Sequence, residues 1–504
     1  MKRLFIAGIL FCLIHITTQA QNDIDVLRYS QTGVGGDARF LSLGGSMGAL
    51  GANLSTINYN PAGMGLYRKG EFAITAGLRF ANTTSTHYGT SSNDFKANVP
   101  LGLIGFASAW EEVSPYQDEK SKKKFKNWSR RHAIGFTYNK LANFNQNITI
   151  SGKTKDETII ADFLASAQTH QPKDLNMFYE GLAFNTWLID TFPGTLTEYG
   201  TYFETHKPFN QKKTMNVTGS LGEYSFAYSY AMDNKTYFGA ALGVPSGKWN
   251  YSATYEEDDD GAKRVDPTDN LVSFNSLTYR ELIQTRAIGI NLKLGVITRV
   301  SDNFRIGAYF HTPTAYSLRD NYSNSMSVLY DTLFTLYNVT LSDSSDPGNF
   351  RYKMSTPMKV GGSIAYLYEK LIAFNVDAEY LSYQQGSLKS NEFSFTEVND
   401  GIRQKYNSTF NFRAGIELNT SPVLFRLGFA SYGSPFGNML TGKNVKNSYS
   451  AGIGFRKNEK TFFDIALVMD RYSEDHYLYG PKYVNPSTIK YSTTNIVFTY
   501  GVKF

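Results

Sequence analysis

Apolar and polar residues alternate with a period of two along most of this chain. The last residues show it most clearly. Thr494, Ile496, Phe498, Tyr500, Val502 and Phe504 share one side, and Asn495, Val497, Thr499, Gly501 and Lys503 share the other, as a strand with one apolar and one mostly polar face requires. The same period predicts strands over 72–80, 134–138, 224–230, 288–296, 304–310, 360–368, 372–380, 410–418, 423–429, 449–455 and 463–469. Weaker alternation adds 99–109 and 237–244, and with the terminal segment this gives fourteen strands.

The connections supply an independent check. Counting upward from Phe72, the segments 233–235, 301–303, 369–370, 419–421 and 457–460 are short and polar, whereas 143–221, 256–285, 319–349, 384–405, 432–446 and 472–490 are long. Short inner turns alternating with long outer loops are the pattern of an outer-membrane barrel. The segment 111–131 breaks the parity: it is long, with a basic run from Lys120 to Lys126. A solvated excursion is the simplest reading, and contact with lipid A or a partner is the second.

Composition narrows the class. Charged residues make up 19% of the 504 and aromatics 15%, while the mean hydropathy of −0.33 excludes a helical membrane bundle. No stretch after the N-terminus approaches the roughly 20 uncharged apolar residues of a spanning helix. Residues 1–20 read as a signal peptide, with Lys2 and Arg3, an apolar run from Leu4 to Ile16, and Thr18-Gln19-Ala20 as the cleavage site. Cys12, the single cysteine, leaves with that signal and excludes a disulfide scaffold or multi-cysteine metal site. Removing Lys2 and Arg3 lowers the net charge from +6 to +4, too small and scattered for nucleic acid. Neither a metal nor a cofactor is expected.

Fourteen strands enclose a hole that something must fill. Residues 21–66 lack a strand period and hold nine glycines, which suits a segment folded back into the lumen as a plug. Gly44, Gly45, Gly48 and Gly51 permit close approach to a wall, and Asn60-Pro61-Ala62-Gly63 makes a turn immediately before the barrel, expected over 67–504 with its first strand at 72–80. Within 143–221, Ile159, Ile160, Phe163 and Leu164 recur at helical spacing, followed by Phe178, Leu182, Trp187 and Leu188. These helices either cap the mouth or offer an apolar landing site through Phe178, Trp187 and Leu188. The acidic run 256–260 reads as a solvated loop rather than a cation site. Asp377, Glu379, Arg413, Glu417, Arg426 and Asp464 lie opposite the apolar faces of their strands. Inside a lumen, Arg413 and Arg426 would either hold a ligand carboxylate or join an ion-pair network bracing the plug.

The stretch from Leu43-Gly44-Gly45-Ser46-Met47-Gly48 to Asn58-Tyr59-Asn60-Pro61-Ala62-Gly63 resembles the glycine-rich hatch and Asn-Pro-Ala-Gly signature of the outer-membrane long-chain fatty-acid transporter family (FadL/TodX-like). Residues 305–313, ending in His311-Thr312-Pro313, look like that family's central strand. Phe412-Arg413-Ala414-Gly415 with Phe425-Arg426-Leu427-Gly428 looks like its late hairpin. The resemblance implies an all-β, 14-stranded antiparallel transmembrane β-barrel in the cell outer membrane, with an N-terminal hatch in the lumen. It further implies carriage of hydrophobic small molecules such as long-chain fatty acids, by way of a lumen pocket and a lateral opening after the hatch shifts. Outer-membrane lipids and lipopolysaccharide are the expected surroundings, and a monomer the expected state. Pro100, Gly102 and Gly135 are candidate gate positions, since Pro removes a ladder donor and Gly permits a kink.

Two other readings stay open: a secretion or envelope scaffold, and a haemin receptor using His476 with Tyr477. Enzyme signals are weak. Gly44-Gly45-Ser46-Met47-Gly48 matches G-x-S-x-G but lacks the preceding buried strand of a nucleophile elbow, and the histidines show no metal-site spacing.

Overall fold

The computed structural model describes residues 23–31, 33, 35–113, 129–232, 235–260, 272–369, 371–436, 444–458 and 460–504. The expected signal peptide and the basic run from Lys120 to Lys126 lie outside them.

Among the described residues, fourteen antiparallel strands form the wall. They are β1 (Glu71–His87), β2 (Leu101–Val113), β3 (Ser129–Asn143), β4 (Asn210–Met232), β5 (Thr236–Asp258), β6 (Val272–Arg299), β7 (Phe304–His311), β8 (Lys359–Tyr368), β9 (Ile372–Ser382), β10 (Ser408–Thr420), β11 (Val423–Tyr432), β12 (Lys446–Arg456), β13 (Thr461–His476) and β14 (Ser487–Lys503). Each pairs with its sequence neighbour. β14 returns to β1 from Glu71↔Lys503 to Thr86↔Thr488, which closes the barrel.

The wall inverts the usual distribution of polarity. On β6, Ile288, Ile290, Leu292 and Leu294 are exposed while Asn291 and Lys293 between them are buried, and on β11 Arg426 is buried between exposed Phe425 and Leu427. Apolar side chains outside and charges inside make sense only if hydrocarbon surrounds the wall. No described helix is long and apolar enough to cross a membrane, so the strands do the crossing.

β4, β5 and β6 run for 23, 23 and 28 residues, far beyond the roughly 9–11 that cross a bilayer. Their upper parts and the extensions Gln146–Lys153, Ala315–Leu333, Leu336–Ser344 and Gly348–Ser355 rise above the lipid belt. The wall thus continues into both ends of the stretch expected to be loop between 143 and 221, at Gln146–Lys153 and from Asn210 onward. The remainder carries α3 (Ile159–Ala167) and α4 (Glu180–Asn185). Phe163, Leu182 and Leu188 pack with Tyr255, Phe274 and Tyr330 of the rim into one apolar core that roofs the barrel.

The lumen holds residues 35–66 and, above them, α1 (Asp23–Ser30). The hatch contains α2 (Ala38–Ser42) and two short 3-10 turns, Leu54–Asn58 and Pro61–Leu66. A side-chain cap starts each one: Asp37 accepts from the Phe40 amide, Asn53 from Ser55, and Asn60 from Ala62. These local bonds give a glycine-rich segment a fixed shape without a ladder. α5 (Thr396–Lys405) lies on the outer rim, where Lys405 reaches Asp23 of α1 at 2.9 Å.

Candidate functional site

The hatch is seated on the wall at backbone contact. A Cβ on Gly44, whose φ is +65°, would lie 2.7 Å from the Phe429 carbonyl oxygen, and one on Gly428 would collide with the Gly44 nitrogen. Asn60 holds the other end, its Nδ2 donating to the Gly48 carbonyl at 2.6 Å, while the Gly48 amide donates to Asp377 at 3.1 Å.

Charge completes the seat. Arg39 of α2 donates twice to Glu417, both at 2.8 Å. Glu417 also accepts from Arg426 at 2.5 Å, and Arg426 reaches Asp464 at 2.7 Å. Arg413 faces Glu379 at 3.3 Å, lies over the Tyr59 ring at 4.4 Å, and donates to the Tyr59 hydroxyl. Burial alone would push the Arg39 guanidinium down, but the Glu417 carboxylate outweighs it and holds the group above its ordinary value. Arg413 and Arg426 thus spend their charge on the wall and the hatch, and neither stands free for a ligand carboxylate.

Above the seat lies a cavity of about 1060 Å³, whose lining includes Leu27, Arg28, Gly33 and Gly35 of the N-terminal segment, with Leu141, Phe144, Trp249, Tyr251 and Tyr383 of the wall. On β1 its lining comprises four successive residues, Ala76, Gly77, Leu78 and Arg79. Ala76 and Leu78 face outward and Gly77 inward, so at this point the cavity reaches both faces of the wall.

The ladder is interrupted at the same place. β1 pairs with β2 from Glu71↔Ala107 to Thr75↔Leu103, shifts to Ala76↔Leu101, and resumes only at Arg79↔Asn98 with the segment Thr90–Asn98. Between these lie Val99, 74% exposed, and Pro100, which has no amide to donate and whose carbonyl accepts from Gly77 at 3.1 Å. The next strand is broken too, since β3 ends at Asn143 and its continuation starts at Gln146. That continuation pairs with β4, and it meets Thr90–Asn98 through side chains such as Asp94, which accepts from the Thr149 amide at 2.6 Å. Arg79 donates to the Asn145 carbonyl at 2.6 Å across this breach. Arg79 and Lys140 both line the cavity and make no ion pair among the described residues. Nothing in the sequence marks these two, because only the fold brings them to one opening.

The structure places the other site residues expected from sequence as follows. Pro100 and Gly102 line the cavity at the breach. Gly135 does not: it sits in the unbroken register Ala107↔Gly135↔Ala227, and a Cβ there would meet Ile57 and Met64 of the hatch at 2.6 Å. Its lack of a side chain makes room for the plug rather than a wall defect. Leu188 is fully buried in the roof, which removes it from any landing surface. Phe178 packs on Tyr322 with centroids 4.8 Å apart, and its carbonyl accepts from Tyr279 and Asn324. Trp187 is exposed beside Phe334. None of Phe178, Trp187 and Leu188 lines the cavity. His476 lines it whereas Tyr477 is exposed, so the two diverge. In the acidic run, Glu256 pairs with Lys212 at 3.1 Å, Asp259 with Lys207 at 3.0 Å, and Asp260 with Lys153, and no cluster of three potential metal ligands occurs among the described residues.

No protein-family model matches the chain, and no curated protein matches it by sequence. Solved structures do. The Pseudomonas putida toluene transporter TodX aligns over 94% of this chain and 99% of its own, with a TM-score of 0.52 at 10% identity. The chain has the TodX fold. A second TodX structure gives a TM-score of 0.51 at 10% identity, covering 93% of this chain and 98% of that one. A Pseudomonas aeruginosa FadL homologue covers 93% and 98% at 10% identity, with a TM-score of 0.48. With a closed wall of fourteen strands, an inverted polarity and a filled lumen, this TodX-type chain is an outer-membrane β-barrel. Both TodX structures are of a toluene transporter, and at 10% identity what the likeness shows for this chain is the fold.

Proposed function

We propose that this barrel carries hydrophobic small molecules through the outer membrane and releases them sideways at the breach beside Pro100. The observation that supports this most is the cavity of about 1060 Å³, bounded by residues from both faces of β1. Its size lies at the top of the roughly 300–1,000 Å³ range of small-molecule sites. A solute leaving there enters hydrocarbon directly and never crosses water.

The lower hatch is fixed by backbone contact and by Arg39, so displacement of α1 and the glycines at 33, 35 and 36 is the smaller motion that would widen the route. Long-chain fatty acids fit this reading, their tails against Leu141, Phe144 and Trp249 and their carboxylates drawn to Arg79 and Lys140.

The test is uptake of labelled oleate and labelled toluene by proteoliposomes holding the full chain, with Ala142→Trp to fill the cavity. Uptake should fall at least tenfold in the variant, and protein purified from its native membrane should retain apolar molecules detectable by mass spectrometry. Unchanged uptake through the filled cavity would overturn the route. Oleate uptake that resists Arg79→Gln with Lys140→Gln would overturn the carboxylate assignment alone.

A further inference from the structure

A row of positive charge crosses the outer surface of the barrel. Arg286 of β6 is the register partner of Lys248 on β5 and of Arg319 on the neighbouring strand, and Arg319 is the partner of Arg351. All four side chains are exposed. Residues directly opposite in a ladder have Cβ atoms about 4.5–5.5 Å apart, and like charges there repel. None of the four makes an ion pair among the described residues. With its amide oxygen turned toward Arg319, Asn349 accepts from the guanidinium at 2.9 and 3.2 Å, which is a neutral partner.

The flanking outward positions do not relieve the repulsion. Two residues along each strand stand Ser246 and Asn250, Gln284 and Ile288, Ser317 and Asn321, or Asn349 and Lys353. No carboxylate is among them, and Lys353 adds a further cation. A soluble surface of this kind would draw its counter-charge from mobile ions. Here the position along the barrel fixes a different source.

The row lies where hydrocarbon ends. Arg286 is two residues above Ile288, where the unbroken outward apolar run Ile288, Ile290, Leu292 and Leu294 begins, and so about 7 Å farther toward the outer loops, where Leu282 is a single exposed apolar residue beyond it. Immediately below it runs a second register row, Gly222, Ser246, Ile288 and Ser317. The small residues of that row leave a dent, part of a concavity of about 690 Å³ that also takes in Tyr138 and all four cations. A molecule resting there has its charged part against the row and its apolar part against Ile288 and the lipid belt.

We propose that this surface binds the phosphorylated headgroup of an outer-leaflet glycolipid, lipid A in chemical class, with the phosphates on Lys248, Arg286, Arg319 and Arg351 and an acyl chain on the dent beneath. The row spans about 14 Å at the usual strand spacing, enough for more than one phosphate. The site is on the outside of the wall, so it stands or falls independently of the transport route.

The test uses the full chain purified in a zwitterionic detergent, titrated with phosphorylated lipid A and read by native mass spectrometry. The wild type should retain the lipid with an affinity that falls as salt rises. The variant Arg286→Gln/Arg319→Gln/Arg351→Gln should bind at least tenfold more weakly, and lipid A stripped of its phosphates should lose at least as much on the wild type. In lipid-free detergent the variant should be no less stable than the wild type, since the row repels itself. Equal retention by the variant, or equal retention of the dephosphorylated lipid, would overturn the proposal. Displacement by inorganic phosphate at the lipid's own concentration would overturn the lipid assignment in favour of a generic anion site. A destabilised variant would mean that the row braces the barrel, again against the proposal. The comparisons with phosphate-free lipid A and with salt need no variant at all, and Arg319→Gln alone gives a milder one.

Discussion

Arg39 ties the hatch to the wall through two charge-assisted hydrogen bonds of 2.8 Å to Glu417. Replacing it with Ala removes both, yet Glu417 keeps Arg426 at 2.5 Å and is not left as an unmatched buried charge. Hydrogen bonds to charged groups contribute about 1.5–3 kcal/mol each. With Glu417 still partnered, the loss should be about 2–3 kcal/mol, or roughly 30- to 150-fold in the equilibrium between seated and displaced hatch. Ser46, fully buried at the seat, can report this as Ser46→Cys, because beyond Cys12 the chain has no cysteine. When reclosing outpaces labelling, the maleimide rate follows the opening equilibrium. The rate in Arg39→Ala should therefore rise by that factor while the barrel stays folded. An unchanged rate in a folded barrel would refute the claim that this ion pair holds the hatch.

Gly428→Ala places a Cβ against the Gly44 backbone, and overpacking of this kind costs about 1–3 kcal/mol; the urea midpoint should drop, and an unmoved midpoint would mean the hatch does not touch the wall there. Arg426→Met removes two ion pairs, but Glu417 keeps Arg39 and Asp464 keeps Arg456, so the loss should sit at the low end of about 3–5 kcal/mol. Loss of uptake without loss of stability would instead make Arg426 a cargo-handling residue. Burial holds the Asp37 carboxyl above its ordinary range despite the Phe40 amide that bonds it. A raised folded pKa means the seated hatch binds this proton more tightly than the unfolded chain does. Its contribution is fully present below the unfolded pKa of about 4 and is lost as pH rises through the higher folded value. Thermal unfolding followed from pH 4 to 8 should show the wild type losing stability relative to Asp37→Asn; parallel profiles would contradict this, a constant offset reporting only a change in the bond that the Asn53 amide donates to Asp37 at 2.5 Å.

The sequence makes legible whatever faces hydrocarbon. Phe425, Leu427 and Phe429 alternate with buried partners, and the same contrast marks every strand where it crosses lipid. Above the belt the outward positions turn polar and the inward ones, such as Ile148, Ile150, Met215 and Tyr255, pack against the roof, so the upper parts of β4, β5 and β6 and the segment Gln146–Lys153 drop out of the lipid-facing apolar series and read as loop although they continue as strand. The helical spacing of Ile159, Ile160 and Phe163 marks α3, but an apolar face looks the same whether it roofs a barrel or awaits a ligand, which is how Leu188 came to be a candidate contact. Pro100 and Gly102 carry a local signal because Pro cannot donate to a ladder. Gly135 carries the same signal for another reason, the close approach of Ile57. Arg79 with Lys140, and the outer row through Arg286, depend on register between strands distant in sequence, which no local pattern encodes.

The plug, residues 35–66, draws part of its dock from strands far along the chain. The Ala38 amide donates to Thr499, Arg39 needs Glu417, and Gly44 rests on Phe429. Until β10, β11 and β14 are in place these three contacts cannot form, and α2 lacks its seat even where Ile57 and Met64 already meet Gly135. Seating of α2 is therefore coupled to closure of the ring, since the strand that pairs with β1 also carries Thr499. Trimming the carboxyl-terminal strand would leave an open sheet and a loose amino-terminal arm together.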